Sequence, residues 1–306
     1  MKTVSLIGYG EVGRILAEDL RAQGVTVCAY DRKLQAGEAQ ALPLREHASR
    51  HGIALAHSHA DAARGAELIV SAVTASQAVS VAQACEAGIE RGAFFLDFNS
   101  ASPGAKIRAA RVVNDAGGRY VEGAVMTTVP PYRIKVPLLL GGPDARALEP
   151  LLQALGFAPQ VASEKLGVAS ATKMCRSIMI KGLEAMIIES FTTARHYGVE
   201  DAVIASLYET FPGIDWEKQG AYLFQRAIEH GRRRSEEVRE VAETVREAGL
   251  QPYSASGTAE RQAHIADLGD AGVFGERGTA AFARSANWRI ESDRILADLK
   301  NKEQKS

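Results

Sequence analysis

Charge of one sign is missing from this sequence. Its 306 residues carry 36 basic and 37 acidic side chains, a formal net charge of −1. No long-range field exists to draw in nucleic acid or an anionic membrane surface. The one basic cluster, Arg232-Arg233-Arg234, is followed at once by Glu236 and Glu237, a balance wrong for a DNA-binding face. Cysteine is scarce as well. Cys28, Cys85 and Cys175 are odd in number and far apart, so neither a disulfide framework nor a cysteine zinc site can be built from them. A reducing, cytoplasmic location is expected. Long apolar runs are also lacking. No window approaches the roughly 18 residues of a membrane span, and the first apolar stretch is cut by Gly8 before it reaches the length of a secretory signal. The expected partner is a small molecule, with no nucleic acid and no membrane.

What is present is an ordinary globular composition, 46% hydrophobic and 24% charged. The chain is longer than the usual single core, so two domains are expected. Thr3–Ile7 reads as a short buried strand stopped by Gly8. From Glu11 to Ala22 the apolar positions Val12, Ile15, Leu16 and Leu20 keep a helical period, and Val25–Tyr30 is a second strand ending at Asp31. Residues 33–52 are polar and alanine-rich, a helix and loop. Leu68–Val73 and Ala93–Asp97 are short apolar runs of the kind found inside a parallel sheet. Helical stretches lie near 76–90 and 103–116. Tyr120–Met126 and Val136–Leu140 read as two further strands, joined through the turn Val129-Pro130-Pro131. From Gly167 to His196 the pattern is almost unbroken helix without proline, about 45 Å long at 1.5 Å per residue, a spine between two domains. Helices follow at 200–211, 216–231, 235–248, 257–267 and 287–300, and Asn301–Ser306 reads as a frayed tail.

Gly8-Tyr9-Gly10-Glu11-Val12-Gly13 is a complete G-x-G-x-x-G. The pattern is weak alone, but here it follows a predicted strand and opens a predicted helix, the context that gives it meaning. Gly8 allows the tight turn, Gly10 lets the backbone approach a pyrophosphate, and Gly13 lets helix and strand pack closely. The free N–H groups of the helix start favour phosphates. Asp31, 18 residues past Gly13, supplies a carboxylate for the adenosine ribose hydroxyls and repels a 2′-phosphate, which favours NAD(H). Arg32 beside it can hold that phosphate, so NADP(H) stays open. Val73 and Thr74, at the end of the strand begun at Leu68, complete the expected cofactor contacts together with Asn99. The bland alternative is a plain turn and a solvated strand end. The fold class that follows is α/β: a Rossmann-type doubly wound, mainly parallel sheet over 1–164, then an all-α domain over 165–306, joined by the long interdomain helix.

Three further stretches stand out: Asp97-Phe98-Asn99-Ser100-Ala101-Ser102-Pro103, Glu122-Gly123-Ala124-Val125-Met126-Thr127-Thr128, and Gly167-Val168-Ala169-Ser170-Ala171-Thr172-Lys173 followed by Arg176 and Ser177. With the glycine loop they resemble the β-hydroxyacid dehydrogenase family, the relatives of 6-phosphogluconate and 3-hydroxyisobutyrate dehydrogenases, in order over about residues 1–250. The helical half looks closer to a branch described only as similar to 6-phosphogluconate dehydrogenase. The family's D-x-S-T-x-x-P is kept at the aspartate, one hydroxyl and the proline, with Asn99 in place of serine. Asn99 and Ser100 can then bind the nicotinamide end or the substrate. Alternatively, Ser100 or Ser102 caps the helix opened by Pro103. The family's substrate loop ends Ser-Gly-Gly where this chain has Met126-Thr127-Thr128. Thr127 and Thr128 cannot match glycine's close approach, which implies a substrate larger or less acidic than a short hydroxyacid.

By the same resemblance Lys173 is the general acid/base, and Arg176 and Ser177, one turn on and facing the same way, bind substrate. A lysine suits the task because its pKa falls when it is buried or placed beside another cation. Arg176 could be that cation or could bind a substrate carboxylate or phosphate. The family's Lys-Asp-Leu helix start is not found. In its place His230–Glu237 reads as a charged corner, with Ser235, Glu236 and Glu237 as the cap and acidic first turn of a new helix. Lys181–Glu184 reads as structural. His57-x-His59 has only Asp61 nearby, so no metal is expected. The cysteines read as packing residues, with Cys175 about 200° round the helix from Lys173. The resemblance implies an NAD(P)-dependent oxidoreductase that interconverts an alcohol and a carbonyl, a homodimer with its active site in an interdomain cleft. The alternatives are an imine reductase of the same architecture, a non-catalytic NAD(P)H-binding module, and oxidation coupled to decarboxylation.

Overall fold

A computed structural model of the chain describes residues 1–279, 282, 285 and 287–304. The first part runs β1 (Thr3–Ile7), α1 (Glu11–Ala22), β2 (Thr26–Tyr30), α2 (Glu38–His51), β3 (Ala54–Leu55), α3 (His59–Ala63), β4 (Leu68–Ser71) and α4 (Ala78–Cys85). It continues through β5 (Phe94–Asp97), α5 (Pro103–Asp115), β6 (Arg119–Val125), α6 (Val129–Tyr132), β7 (Pro137–Gly141), α7 (Ala145–Ala154) and β8 (Ala158–Ser163). Then come α8 (Val168–Tyr197), α9 (Glu200–Thr210), α10 (Trp216–Glu247), α11 (Tyr253–Asp270) and α12 (Trp288–Glu303).

The strands form one eight-stranded sheet in the order β3-β2-β1-β4-β5-β6-β7-β8. Every pairing is parallel except β6 with β7. The chain leaves β1 toward one edge and returns to the other side of it as β4, so a crevice opens at the carboxyl ends of these two strands. Successive strand residues face opposite sides. Leu68 and Val70 therefore enter one core with Leu6, Val27 and Leu96, and Ile69 enters the other with Ile7, Phe95 and Tyr120. Both faces of the central strands are covered, which is why they read as continuous apolar runs. This is the expected Rossmann-type α/β fold followed by helices.

The chain divides into two compact units. One comprises Met1–Cys175 with Glu243–Gly249, and the other Arg176–Ala242 with the residues from Leu250 onward. The expected boundary at 164/165 differs from this division, which falls inside α8. The second unit has its own core, where Phe191, Phe224, Ile228, Ile265 and Trp288 pack together.

Several elements differ from expectation. The break expected near 231–235 is absent, and α10 is one helix of 32 residues. Ser235 is buried in its interior and its hydroxyl donates to the carbonyl of Arg232, so it caps nothing. Gly231 lets α10 pass close to α11, since a Cβ there would lie 2.7 Å from the Gln262 carbonyl oxygen. The Val129-Pro130-Pro131 turn is the short helix α6, continued by a tight turn over Arg133–Lys135. Strand β8 escapes periodicity because its residues alternate between exposed and half-buried, with none fully covered. The expected tail is helical through Glu303, while Lys305 and Ser306 lie outside the described residues. Cys85 is buried, but Cys175 is exposed rather than packed. Among the described residues no helix is long and apolar enough to cross a membrane.

Candidate active site

One row of paired residues crosses the sheet: Tyr30, Ile7, Ser71, Asp97 and Glu122 lie side by side on β2, β1, β4, β5 and β6. These five strands are parallel, so whatever follows the row emerges along a single carboxyl edge. That edge gathers the glycine loop, Asp31, Val73 and Thr74, Asn99 and Ser100, and the loop beginning at Met126. Open α/β sheets bind ligands at this edge.

The three loop glycines have distinct geometries. Gly8 has φ +95°, and a Cβ on it would meet the Ala72 carbonyl oxygen at 2.3 Å. A Cβ on Gly13 would lie 2.0 Å from the Gly8 carbonyl oxygen, so α1 can pack on the turn only with glycine there. At Gly10 a Cβ would meet nothing within 4 Å, which leaves room for a phosphate to reach the backbone. Gly10 is the N-cap of α1 and no side chain caps that end, so the N–H groups from Glu11 and Val12 onward are available to an anion. Gly8→Ala should therefore abolish dinucleotide uptake and cost about 2 kcal/mol or more of stability. Calorimetric titration and thermal unfolding check this; uptake at wild-type affinity would refute it.

Two expected cofactor contacts turn inward. The Tyr9 ring is fully buried and its hydroxyl lies 2.8 Å from His47 Nδ1. Burial pushes its pKa up to about 12, so it stays protonated. Asn99 is 3% exposed. Its Oδ1 accepts from the Val73 N–H at 2.7 Å and its Nδ2 donates to Ser71 Oγ at 2.9 Å. Asn99 is thus a positioning residue that ties the ends of β4 and β5 together, and its amide is not offered to a ligand. Asp31 is half-buried and already accepts from the backbone N–H of Tyr9 and of Lys33, each at 2.9 Å. It holds the glycine loop to β2, with lone pairs left for a ribose hydroxyl. Arg32 and Thr74 are exposed, and Val73 is half-buried.

Below Ser100 lies a buried polar brace that the sequence did not announce. Asp97 accepts from the Tyr120 hydroxyl at 2.7 Å and from the Asn99 N–H at 2.8 Å, and pairs with Lys106 at 3.0 Å. Tyr120 titrates well above the usual phenol range because of burial first and the Asp97 charge second. It therefore remains a donor. The question of the helix cap is settled by geometry: Ser102 caps α5, accepting from the Ala105 N–H. Glu247 completes this end, accepting from Ser102 Oγ and from the Gly104 N–H at 2.9 Å each. Ser100 is left to other work.

That work is the meeting with Lys173, whose Nζ lies 2.5 Å from Ser100 Oγ. The lysine is half-buried, not a solvated surface residue. Its position is set by the head of α8. Gly167, at φ +91°, turns the chain into the helix. The fully buried Glu122 then accepts from the Ala169 N–H at 3.0 Å and from Ser170 Oγ at 2.8 Å. A carboxylate at this end satisfies free helix donors and complements the helix dipole. Lys173 follows one turn later.

Of the remaining expected residues, Thr127 is exposed and Thr128 half-buried at the start of α6. Arg176 is exposed and Ser177 is 8% exposed, and both belong to the second unit. In that unit Lys181 pairs with Glu237 at 2.6 Å, and Glu184 pairs with Arg234 at 2.9 Å and accepts from Gln262 at 3.0 Å. These contacts hold α8, α10 and α11 together, in keeping with the structural reading of Lys181–Glu184. Burial, then Arg233, lowers the His230 pKa. His57 is exposed and His59 opens α3 with its ring edge-on to Tyr30, so the two do not share one strand face.

Residues 3–162, more than half of the chain, match the family model of the NAD-binding domain of 6-phosphogluconate dehydrogenase. The chain belongs to this family. Residues 194–265 match a domain of unknown function, DUF1932. A conserved hypothetical protein from Sinorhizobium meliloti is similar at 34% identity, covering 96% of this chain and 97% of its own, with a TM-score of 0.74. The conserved protein MTH1747, described as structurally similar to 3-hydroxyacid dehydrogenases, is 27% identical over 87% of this chain and 99% of its own, with a TM-score of 0.66. The Mycobacterium tuberculosis 3-hydroxyisobutyrate dehydrogenase solved with L-serine shares the fold at 16% identity, covering 96% of this chain and 99% of its own, with a TM-score of 0.71. In this family setting the uncapped α1 start and the open space at Gly10 suit the dinucleotide's pyrophosphate.

Proposed function

We propose that this chain is an NAD(P)-dependent oxidoreductase that interconverts an alcohol and a carbonyl in a hydroxyacid or related polar substrate. The observation that carries the reading is the 2.5 Å contact between Lys173 Nζ and Ser100 Oγ, beside the carboxyl edge that bears the glycine loop. When bound, the nicotinamide supplies or accepts the hydride. Lys173 donates a proton to the carbonyl oxygen during reduction and takes the alcohol proton in oxidation. Ser100 accepts from the lysine and turns its own hydroxyl proton toward the same oxygen, so both groups stabilise the charge that develops there. Thr127 and Thr128 border the substrate and select one larger or less acidic than a short hydroxyacid. Arg176 serves the substrate's anionic group. Exposed Met179 and Met186 on α8 are in keeping with assembly as a homodimer.

The test is a screen of hydroxyacids, ketoacids and cyclic imines, following absorbance of the reduced nicotinamide with each cofactor. Turnover of hydroxyacids or ketoacids supports the reading. Reduction of imines alone would make the chain an imine reductase, and tight cofactor uptake with no turnover would make it a binding module. NAD(H) is the proposed cofactor. Arg32→Ala should leave NAD(H) affinity within about threefold, whereas loss of about tenfold or more for a preferred NADP(H) would reverse the assignment. Arg32 is the cleaner probe, since Asp31→Ala would also free the Tyr9 N–H and disturb the loop for either dinucleotide.

A further inference from the structure

Glu18 on α1 and His47 and His51 on α2 take no part in the site described above, yet they converge. The ligand-capable atoms of all three lie within 4.8 Å of one another, and all three side chains are half-buried. His47 Nε2 is 2.9 Å from Glu18 Oε1, and its Nδ1 is 2.8 Å from the Tyr9 hydroxyl. The other Glu18 oxygen pairs with Arg133 at 2.7 Å. These contacts account for His47 and Glu18. They do not account for His51, which makes no hydrogen bond or ion pair among the described residues and stacks on His47 with ring centroids 4.5 Å apart.

Two imidazoles at i and i+4 present their nitrogens on one helix face, and a carboxylate from the next helix adds a third donor. Two nitrogens and one oxygen form a borderline set that suits zinc and its first-row neighbours. Tetrahedral ligands about 2.1 Å from an ion stand roughly 3.4 Å apart. The Nε2 and Oε1 atoms need only part by about half an ångström to admit one. The outer shell is already built. Tyr9 holds the far nitrogen of His47 and Arg133 holds the far oxygen of Glu18, the arrangement that orients metal ligands.

We infer that Glu18, His47 and His51 form a divalent-metal site of the zinc type, with solvent in the fourth position, that clamps α2 to α1 behind the glycine loop. On binding, the ion takes the place of the proton on His47 Nε2; that proton passes to solvent and one is taken up at Nδ1, so the neutral ring keeps a single N–H, which faces the Tyr9 oxygen. The bland alternative is that His51 merely complements the carboxyl end of α2, in which case metal affinity is absent.

The test uses the full chain without a histidine tag, freed of metal by a chelator and titrated with zinc chloride by calorimetry, with cobalt(II) absorption as a second readout. The expected result is one equivalent taken up at a micromolar dissociation constant. His51→Ala should weaken it by about tenfold or more while metal-free unfolding stays close to wild type, and His57→Ala should bind as wild type does. Failure of the wild type to saturate below about 100 µM, equal affinity in His51→Ala, or loss of binding in His57→Ala would each overturn the proposal. None of these readouts depends on turnover, so they stand apart from the proposed oxidoreductase activity.

Discussion

Lys173→Ala should lower turnover by about 10²- to 10⁴-fold while dinucleotide affinity stays near wild type. The two effects separate because the glycine loop lies at β1 and α1, whereas the lysine stands at the head of α8 with its Nζ on Ser100. In the proposed reaction, removing the ammonium takes away the proton delivered as the carbonyl oxygen gains charge. It leaves the phosphate-binding backbone untouched. Lys173→Arg is the informative companion, because a guanidinium keeps the charge but gives up its proton far less readily. It should restore little turnover. Steady-state kinetics at several pH values, together with calorimetric titration of the cofactor, measure both quantities. A turnover within a few-fold of wild type in Lys173→Ala would remove the lysine from the mechanism.

The second large effect is expected at Glu122, which touches no proposed substrate. Glu122→Ala strands the Ala169 N–H inside a closed environment and leaves the Ser170 hydroxyl only the Gly167 carbonyl at 3.1 Å as an acceptor. Leaving a buried donor unpaired costs about 1–3 kcal/mol, so a loss of about 1–3 kcal/mol is expected after local relaxation. Glu122→Gln keeps one acceptor and should fall between the two. Because the same carboxylate holds the head of α8, turnover of the folded Gln variant should also fall, through kcat more than KM. Denaturant unfolding and kinetics on the Gln variant test the two parts separately. Wild-type stability in Glu122→Ala would show that water replaces the carboxylate without cost.

The two residues differ in how readable they were. Lys173 stands in a glycine-led stretch at the start of a long apolar helix, and those features are visible along the chain. Glu122 was readable only as the last acidic residue of a strand. Its partners lie 47 and 48 positions further on, and no local pattern encodes that distance. The same holds for Asn99 and Tyr9. Both follow strands at the carboxyl edge of the sheet, but whether a side chain turns outward to a ligand or inward to Ser71 or His47 depends on which buried groups otherwise lack partners. The join at Ser235 shows the converse. A serine followed by two glutamates is a good helix start in isolation. Packing of α10 against α11 across Gly231 makes one continuous helix more favourable than two.

By itself the sequence determined six of the eight strands, β1, β2 and β4 to β7, with the glycine turn and the lysine at the head of α8. These depend on interactions within a few residues: hydrophobic period, backbone freedom and the start of a helix. Only the tertiary structure decided that Ser102 and not Ser100 caps α5, that Glu122 anchors α8, and that His47 meets Glu18 and Tyr9. Those pairings arise when distant segments are buried together and each polar group must find a partner out of reach of water.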